Sequence, residues 1–419
     1  MKKLFLLLLI CLVSVPCVFA EDAWRIPDRS FEIGLNSSVG FSNSFINALD
    51  VFQETIIIDL DKLKDGFIFN MDFGLTPFYF QYNNKNNWGF GLSLNTDFSG
   101  VFALSGDVLS FAEAEDNKDT SIGGAMFFEA NINAYFPIWK FKIKAAPSAF
   151  LPIAYIDPVI SYTNIAADDG KTKFNFMYDI FLYTPVSLKP FLSAESAGNF
   201  DIDYPGIFSM FGFDINFGLE FPLGEALGLT KTNNLFNFTL GLDVYNFPII
   251  PAKLKDFTRY TGQIGSDEPF NIFGDEDLLS ILFGDDEMSL DPEFGVAEKV
   301  KEIYRPIKVQ LWADWKPFGQ ILTFTPVGGV SIQRTGFGDE VTFDFLINYG
   351  IKARLDLGNI FILSFGTGYF DKVWKNNLDI ALNFRVLEIN VGLDLRALEF
   401  LESWKGAGAG VSVGLKFGW

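Results

Sequence analysis

The sequence predicts an all-β fold: a transmembrane antiparallel β-barrel of about 14 strands (14–16). Three observations predict it. Apolar and polar side chains alternate with period two along most of the chain. The first twenty residues read as an export signal. An alternating segment closes on an aromatic residue, Trp419.

Residues 1–20 carry Lys2 and Lys3, an unbroken apolar stretch from Leu4 to Val13, and Val18-Phe19-Ala20 before Glu21. That is the order of a secretory signal peptide, and the stretch is too short to span a bilayer as a helix. Cys11 follows Ile10 and Cys17 follows Pro16, so neither has the small preceding residue of a lipid-anchored start. These are the only two cysteines, so an exported chain cut before Glu21 has no thiol and no disulfide. There are 0 histidines, which rules out Ser-His and Cys-His nucleophiles and His-ligated metals. No catalytic residue, cofactor or metal is expected, and the chain reads as a non-enzyme. Net charge is -20, and losing Lys2 and Lys3 makes it -22, which opposes nucleic acid. Yet 49% of residues are hydrophobic, and no apolar run after residue 20 reaches helix-spanning length.

The strands follow in order. The first is expected over 30–41. Phe67, Phe69, Met71, Phe73 and Leu75 alternate with polar or small residues, as do Trp88, Phe90, Leu92 and Leu94. The same pattern recurs over 211–221, 236–244, 307–315 and 378–385. Period two places bulky apolar groups on one face and charged or small groups on the other. Runs of about nine to eleven residues match a tilted strand crossing hydrocarbon. Aromatic clusters at Pro77-Phe78-Tyr79-Phe80, Tyr135-Phe136-Pro137-Ile138-Trp139 and Tyr369-Phe370 read as run ends at the membrane interfaces. An open sheet edge is untenable in lipid, so the strands must close into a ring.

Two segments break the pattern. Over 43–65, Phe45, Leu49, Phe52 and Ile56 recur at helical spacing. This reads either as a plug inside the barrel or as an irregular connection. Residues 254–304 read as a long acidic extracellular loop. Between Gly262 and Gly295 it holds ten Asp or Glu and no Lys or Arg, interspersed with large apolar residues. It is either a solvated spacer or a pair of short amphipathic helices over the barrel mouth. Asp275 to Asp286 lacks the spacing and central Gly of an EF-hand.

In the segment Val411-Ser412-Val413-Gly414-Leu415-Lys416-Phe417-Gly418-Trp419, Ser412, Gly414, Phe417 and Trp419 occupy the places of the β-signal of bacterial outer-membrane proteins. The segment resembles that signal, which implies the bacterial outer membrane and recognition by the barrel-assembly machinery. Chain size, the helical spacing over 43–65 and the apolar-spotted loop together resemble the FadL-type family of fourteen-stranded hydrophobic-compound channels, including its spirochaetal relatives. The Asn-Pro-Ala motif of well-known members is absent from the N-terminal segment. The resemblance implies a plugged barrel that takes up long-chain fatty acids or similar molecules.

The expected function is passive transport of small, chiefly hydrophobic molecules. Phe270, Phe273, Leu278, Leu279, Leu282 and Phe283 are the expected ligand-collecting residues. Phe45, Leu49, Phe52 and Ile56 are the expected plug. Expected partners are outer-membrane lipid, the assembly machinery and a small hydrophobic ligand, with no nucleic acid. A general diffusion porin and a surface adhesin using the acidic loop are the alternatives.

Overall fold

The computed structural model describes residues 29–43, 67–84, 88–104, 118–168, 171–189, 204–229, 234–265, 293–335 and 342–419. The export segment, Phe45, Leu49, Phe52 and Ile56, and the six loop residues from Phe270 to Phe283 lie outside them.

The described residues form a closed antiparallel barrel of fourteen staves. Five continuous strands come first: β1 (Phe31–Asn43), β2 (Phe67–Asn83), β3 (Gly89–Leu104), β4 (Lys118–Ile138) and β5 (Phe141–Asp168). Three staves are then each made of two segments end to end. Stave six is β6 (Lys171–Thr184) plus β7 (Gly212–Phe221), stave seven β8 (Phe238–Ile250) plus β9 (Ala252–Gly265), and stave eight β10 (Glu293–Ile303) plus β11 (Ile307–Trp315). Six continuous strands finish the ring: β12 (Leu322–Thr335), β13 (Thr342–Leu357), β14 (Phe361–Phe370), β15 (Val373–Asn383), β16 (Leu387–Ala397) and β17 (Gly408–Gly418). β17 pairs with β1 from Gly418↔Glu32 to Gly408↔Ser42, which closes the cylinder. Short helices α1 (Tyr204–Phe208), α2 (Leu223–Ala226) and α3 (Phe400–Ser403) lie in the connections.

Alternation becomes an outside and an inside. On β16, Val391, Leu393 and Leu395 are 42%, 53% and 38% exposed, whereas Asp394 and Arg396 of the alternate positions are 2% and 1%. On β13, Phe343, Phe345, Ile347, Tyr349 and Ile351 all face outward. Burial is therefore inverted relative to a water-soluble protein: polar groups are packed inside and apolar ones stand exposed. The turns at the rim that carries Phe31 and Trp419 expose Trp88, Trp139, Phe318, Ile360 and Phe384. Phe31 and Trp419 stack there with centroids 4.6 Å apart and exchange two backbone hydrogen bonds of 3.1 Å.

Two sequence expectations change. The cluster 77–80 lies within β2 rather than at a run end, because a register shift between Leu75 and Phe78 absorbs Pro77 and lets the strand continue to Asn83. The flanks of 254–304 are strands, β9 and β10. Their alternation was hidden for two reasons. Both faces of these strands carry charge, and a register irregularity between Val296 and Lys301 breaks the period.

Asn376 is a polar residue on the outward face of β15. Asn376 is covered from outside by α3, whose Ser403 Oγ accepts a 2.7 Å hydrogen bond from its amide nitrogen. Phe400 and Trp404 pack around it on Trp374 and Phe365, so the polar pair is sealed beneath an aromatic cover.

Candidate functional site

Staves five to eight share one level of irregularity, and prolines mark it. Pro152 lies in β5, Pro185 directly after β6, Pro251 between β8 and β9, and Pro306 between β10 and β11. Proline offers no N–H to a ladder, so each position favours a break or an edge. The register shows that the breaks align: Phe150 faces Gly212, Phe213 faces Ile250, and Ala252 faces Ile303. Asn246 holds this level with a left-handed backbone, φ 56°. Its N–H donates to Asn216 Oδ1 at 2.6 Å and its side-chain amide to the Pro306 carbonyl at 2.9 Å.

Across the break the barrel interior becomes apolar. Phe127 on β4, Phe150 on β5, Ala252 and Leu254 on β9 and Ile303 on β10 form one buried cluster, with Ala125, Tyr155, Tyr183 and Met210 packed on it. The Lys301 ammonium lies 5.8 Å from the centroids of both Tyr155 and Tyr183. The Met210 carbonyl accepts from the Lys253 N–H at 3.0 Å, which brings the chain before β7 onto β9.

Beneath this cluster sits an ion-pair knot centred on Arg305, at the joint of stave eight. Its Nε and Nη2 donate to the two carboxylate oxygens of Asp214 at 2.8 and 2.7 Å. Nη2 also reaches Ser148 Oγ at 2.8 Å, and Nη1 lies 2.9 Å from Glu129. The guanidinium stands 4.8 Å over the Phe150 ring. Ser148 in turn donates to Asp214. Arg305 and its two carboxylates are buried, and bidentate geometry is what lets such charges be held away from water.

The reach of Arg305 measures the distortion. Fourteen staves about 4.8 Å apart and tilted by about 40° give a radius of roughly 14 Å, so staves four and eight should lie roughly 20 Å apart. Arg305 on stave eight nevertheless touches Glu129 on stave four. The wall is therefore drawn inward at this level, and the apolar cluster fills the pinch.

The rest of the lumen is polar and interlocked. Arg396 pairs with Asp394 and Asp72, and Gly40 on β1 leaves the space that its guanidinium fills. Lys142 and Lys144 pair with Glu220, Lys352 with Asp379, and Lys308 with Asp371. At the rim of Phe31, Arg29 bonds Asn383 at 2.7 Å and lies 3.4 Å from Glu32, which accepts from Tyr79 at 2.5 Å.

The four residues of the expected assembly signal lie together on or beside β17. Ser412 and Gly414 face inward, opposite Gly392 and Asn390, while Phe417 and Trp419 face outward. A side chain at Gly414 would meet the Asn390 amide. Sequence reasoning missed Arg305, Glu129, Asp214 and the apolar cluster. The available signal was Tyr304-Arg305-Pro306, a cation beside a strand-breaking proline ahead of an alternating run.

No family model and no curated protein matches the chain. Solved structures that resemble it include the toluene transporter TbuX of Ralstonia pickettii, 8% identical over 94% of this chain and 90% of that one, with a TM-score of 0.44. A FadL homologue of Pseudomonas aeruginosa is 8% identical over 93% and 90%, at 0.46. The translocator domain of the autotransporter NalP from Neisseria meningitidis is 9% identical over 95% and 91%, at 0.38. FadL-type channels are thus among the solved barrels of similar architecture, and these likenesses carry no weight on what the chain does.

Proposed function

We propose that the chain is an outer-membrane conduit for passive entry of small hydrophobic molecules. One observation carries this reading: the only cluster of buried apolar side chains among the described residues lies inside the barrel, at the pinch, above a lumen otherwise built of paired polar groups. Such a lining offers an apolar molecule contacts that water, ions and sugars cannot use. The outward apolar faces and the aromatic turns at the rim of Phe31 support placement in an outer membrane, with that rim toward the periplasm. The seam of β17 against β1 and β16 is the part that the assembly machinery would read, through Ser412, Gly414, Phe417 and Trp419. Long-chain fatty acids are the substrate class suggested by the sequence resemblance, and the loop residues 270–283 would collect them.

The interlocked charges of the lumen weigh against a general diffusion pore. Proteoliposomes provide the test. Uptake of a fluorescent apolar probe should exceed that of empty vesicles, and Leu254→Asp should abolish the excess. High ion conductance with no apolar uptake would identify an open porin instead.

A further inference from the structure

We infer that β6, β9 and β10 form a hinged leaf that swings against the rest of the barrel, with Arg305 as its latch. This concerns motion alone, and it stands whether or not the conduit reading holds.

Pairing defines the leaf. β6 pairs with β5 and β9, β9 with β6 and β10, and β10, among the described residues, with β9 alone. The leaf is therefore attached along one side, to β5, and that attachment is irregular between Ile156 and Tyr162. Below, each of its strands is cut from the wall segment beneath it. Residues 185–211 separate β6 from β7, Pro251 separates β9 from β8, and Tyr304-Arg305-Pro306 separate β10 from β11. No strand ladder crosses that line at these joints.

The leaf is built to move as one piece and to live in water. Arg259 on β9 holds Asp179 on β6 through two bonds of 2.8 and 2.9 Å and lies 3.5 Å from Glu293 on β10, so one guanidinium ties all three strands. Lys253, Lys255, Asp256, Glu298, Lys299 and Glu302 give it charge that the outward faces of β13 and β16 lack. It stands beyond the apolar belt.

Across the cut line, leaf and body meet at the pinch, beside the one backbone hydrogen bond from the Lys253 N–H to the Met210 carbonyl. Ala252, Leu254 and Ile303 come from the leaf, and Phe127 and Phe150 from the body. The contact is a small apolar patch, far less binding than the backbone ladders that join the other staves. Arg305 sits at the foot of β10, and every charge it holds belongs to the body: Glu129 on β4 and Asp214 on β7. Releasing Arg305 frees the foot of the leaf, and the swing parts the two halves of the apolar patch. This is hinge motion at element ends with a bistable contact between two positions.

Electron–electron distance measurement in nanodiscs tests it. With Cys11 and Cys17 replaced by serine, nitroxides are placed at Val296 on the leaf and Phe345 on β13, both exposed. A second pair, Leu311 and Phe345, reports the body alone. The leaf–body distribution should be at least twice as wide as the body pair, with a distinct second distance. Arg305→Lys keeps the charge but loses the two-pronged grip, and should at least double the minor population. Asp214→Asn serves as a second latch variant if R305K does not fold. A leaf–body distribution as narrow as the body pair overturns the leaf. A wide distribution that neither latch variant alters overturns the role of Arg305.

Discussion

Placing a charge on the outward face of β16 has a cost that can be worked from position. Leu387 and Ala397 bound the strand, and eleven residues at about 3.3 Å each, tilted by about 40°, span roughly 28 Å along the barrel axis. Val391 lies four residues above Leu387 and six below Ala397, close to the middle of that band, and its side chain is exposed. Val391→Arg should therefore destabilise the folded barrel by about 2–4 kcal/mol. Leu401 sits in α3 at the opposite rim and is also exposed. Leu401→Arg should cost about 0–1 kcal/mol, because a guanidinium there reaches the interface. Reversible unfolding in lipid vesicles, followed by tryptophan fluorescence against urea, gives both values. Equal costs at the two sites would refute the assignment of β16's odd-numbered face to hydrocarbon.

Other substitutions probe the interior and the seam. Arg396→Met strands the carboxylates of Asp394 and Asp72 and should cost about 3–5 kcal/mol by the same unfolding assay, while Arg396→Met with Asp394→Asn should recover part of it. Gly414→Val forces a side chain onto Asn390 at the closing seam and should lower stability by about 1–3 kcal/mol, seen as loss of the heat-modifiable band on gels. Phe150→Ala removes the ring beneath Arg305 and should cost about 3–5 kcal/mol while raising single-channel conductance in planar bilayers. Ser403→Ala leaves the amide of Asn376 without its acceptor and should cost about 1–3 kcal/mol in thermal unfolding.

How much of this was legible in the sequence depends on which solvent a strand meets. β13, β16 and β17 show one apolar face because lipid demands it, and their alternation survives intact in the structure. β9 and β10 carry charge on both faces, and a register irregularity breaks their period between Val296 and Lys301, so they read as loop. The barrel's closure was legible from edge energetics, since β17 had to find a partner and found β1. The site was not. Arg305 and Glu129 are 176 residues apart, and nothing local in either sequence neighbourhood names the other. Asn376 interrupts the apolar face of β15, and its partner Ser403 lies 27 residues along the chain, beyond any local pattern. The proline positions, by contrast, were visible throughout. Their alignment at one level became meaningful only once register placed Phe150, Gly212, Ile250 and Ile303 side by side.

The most direct test of the barrel itself is a nitroxide scan of residues 387–397 in lipid vesicles, read as accessibility to dissolved oxygen against a water-soluble nickel chelate. Oxygen should dominate at 387, 389, 391, 393 and 395 and fall at every even position between them. A flat profile along the strand, or nickel access at the odd positions, would contradict a cylinder whose apolar faces meet lipid.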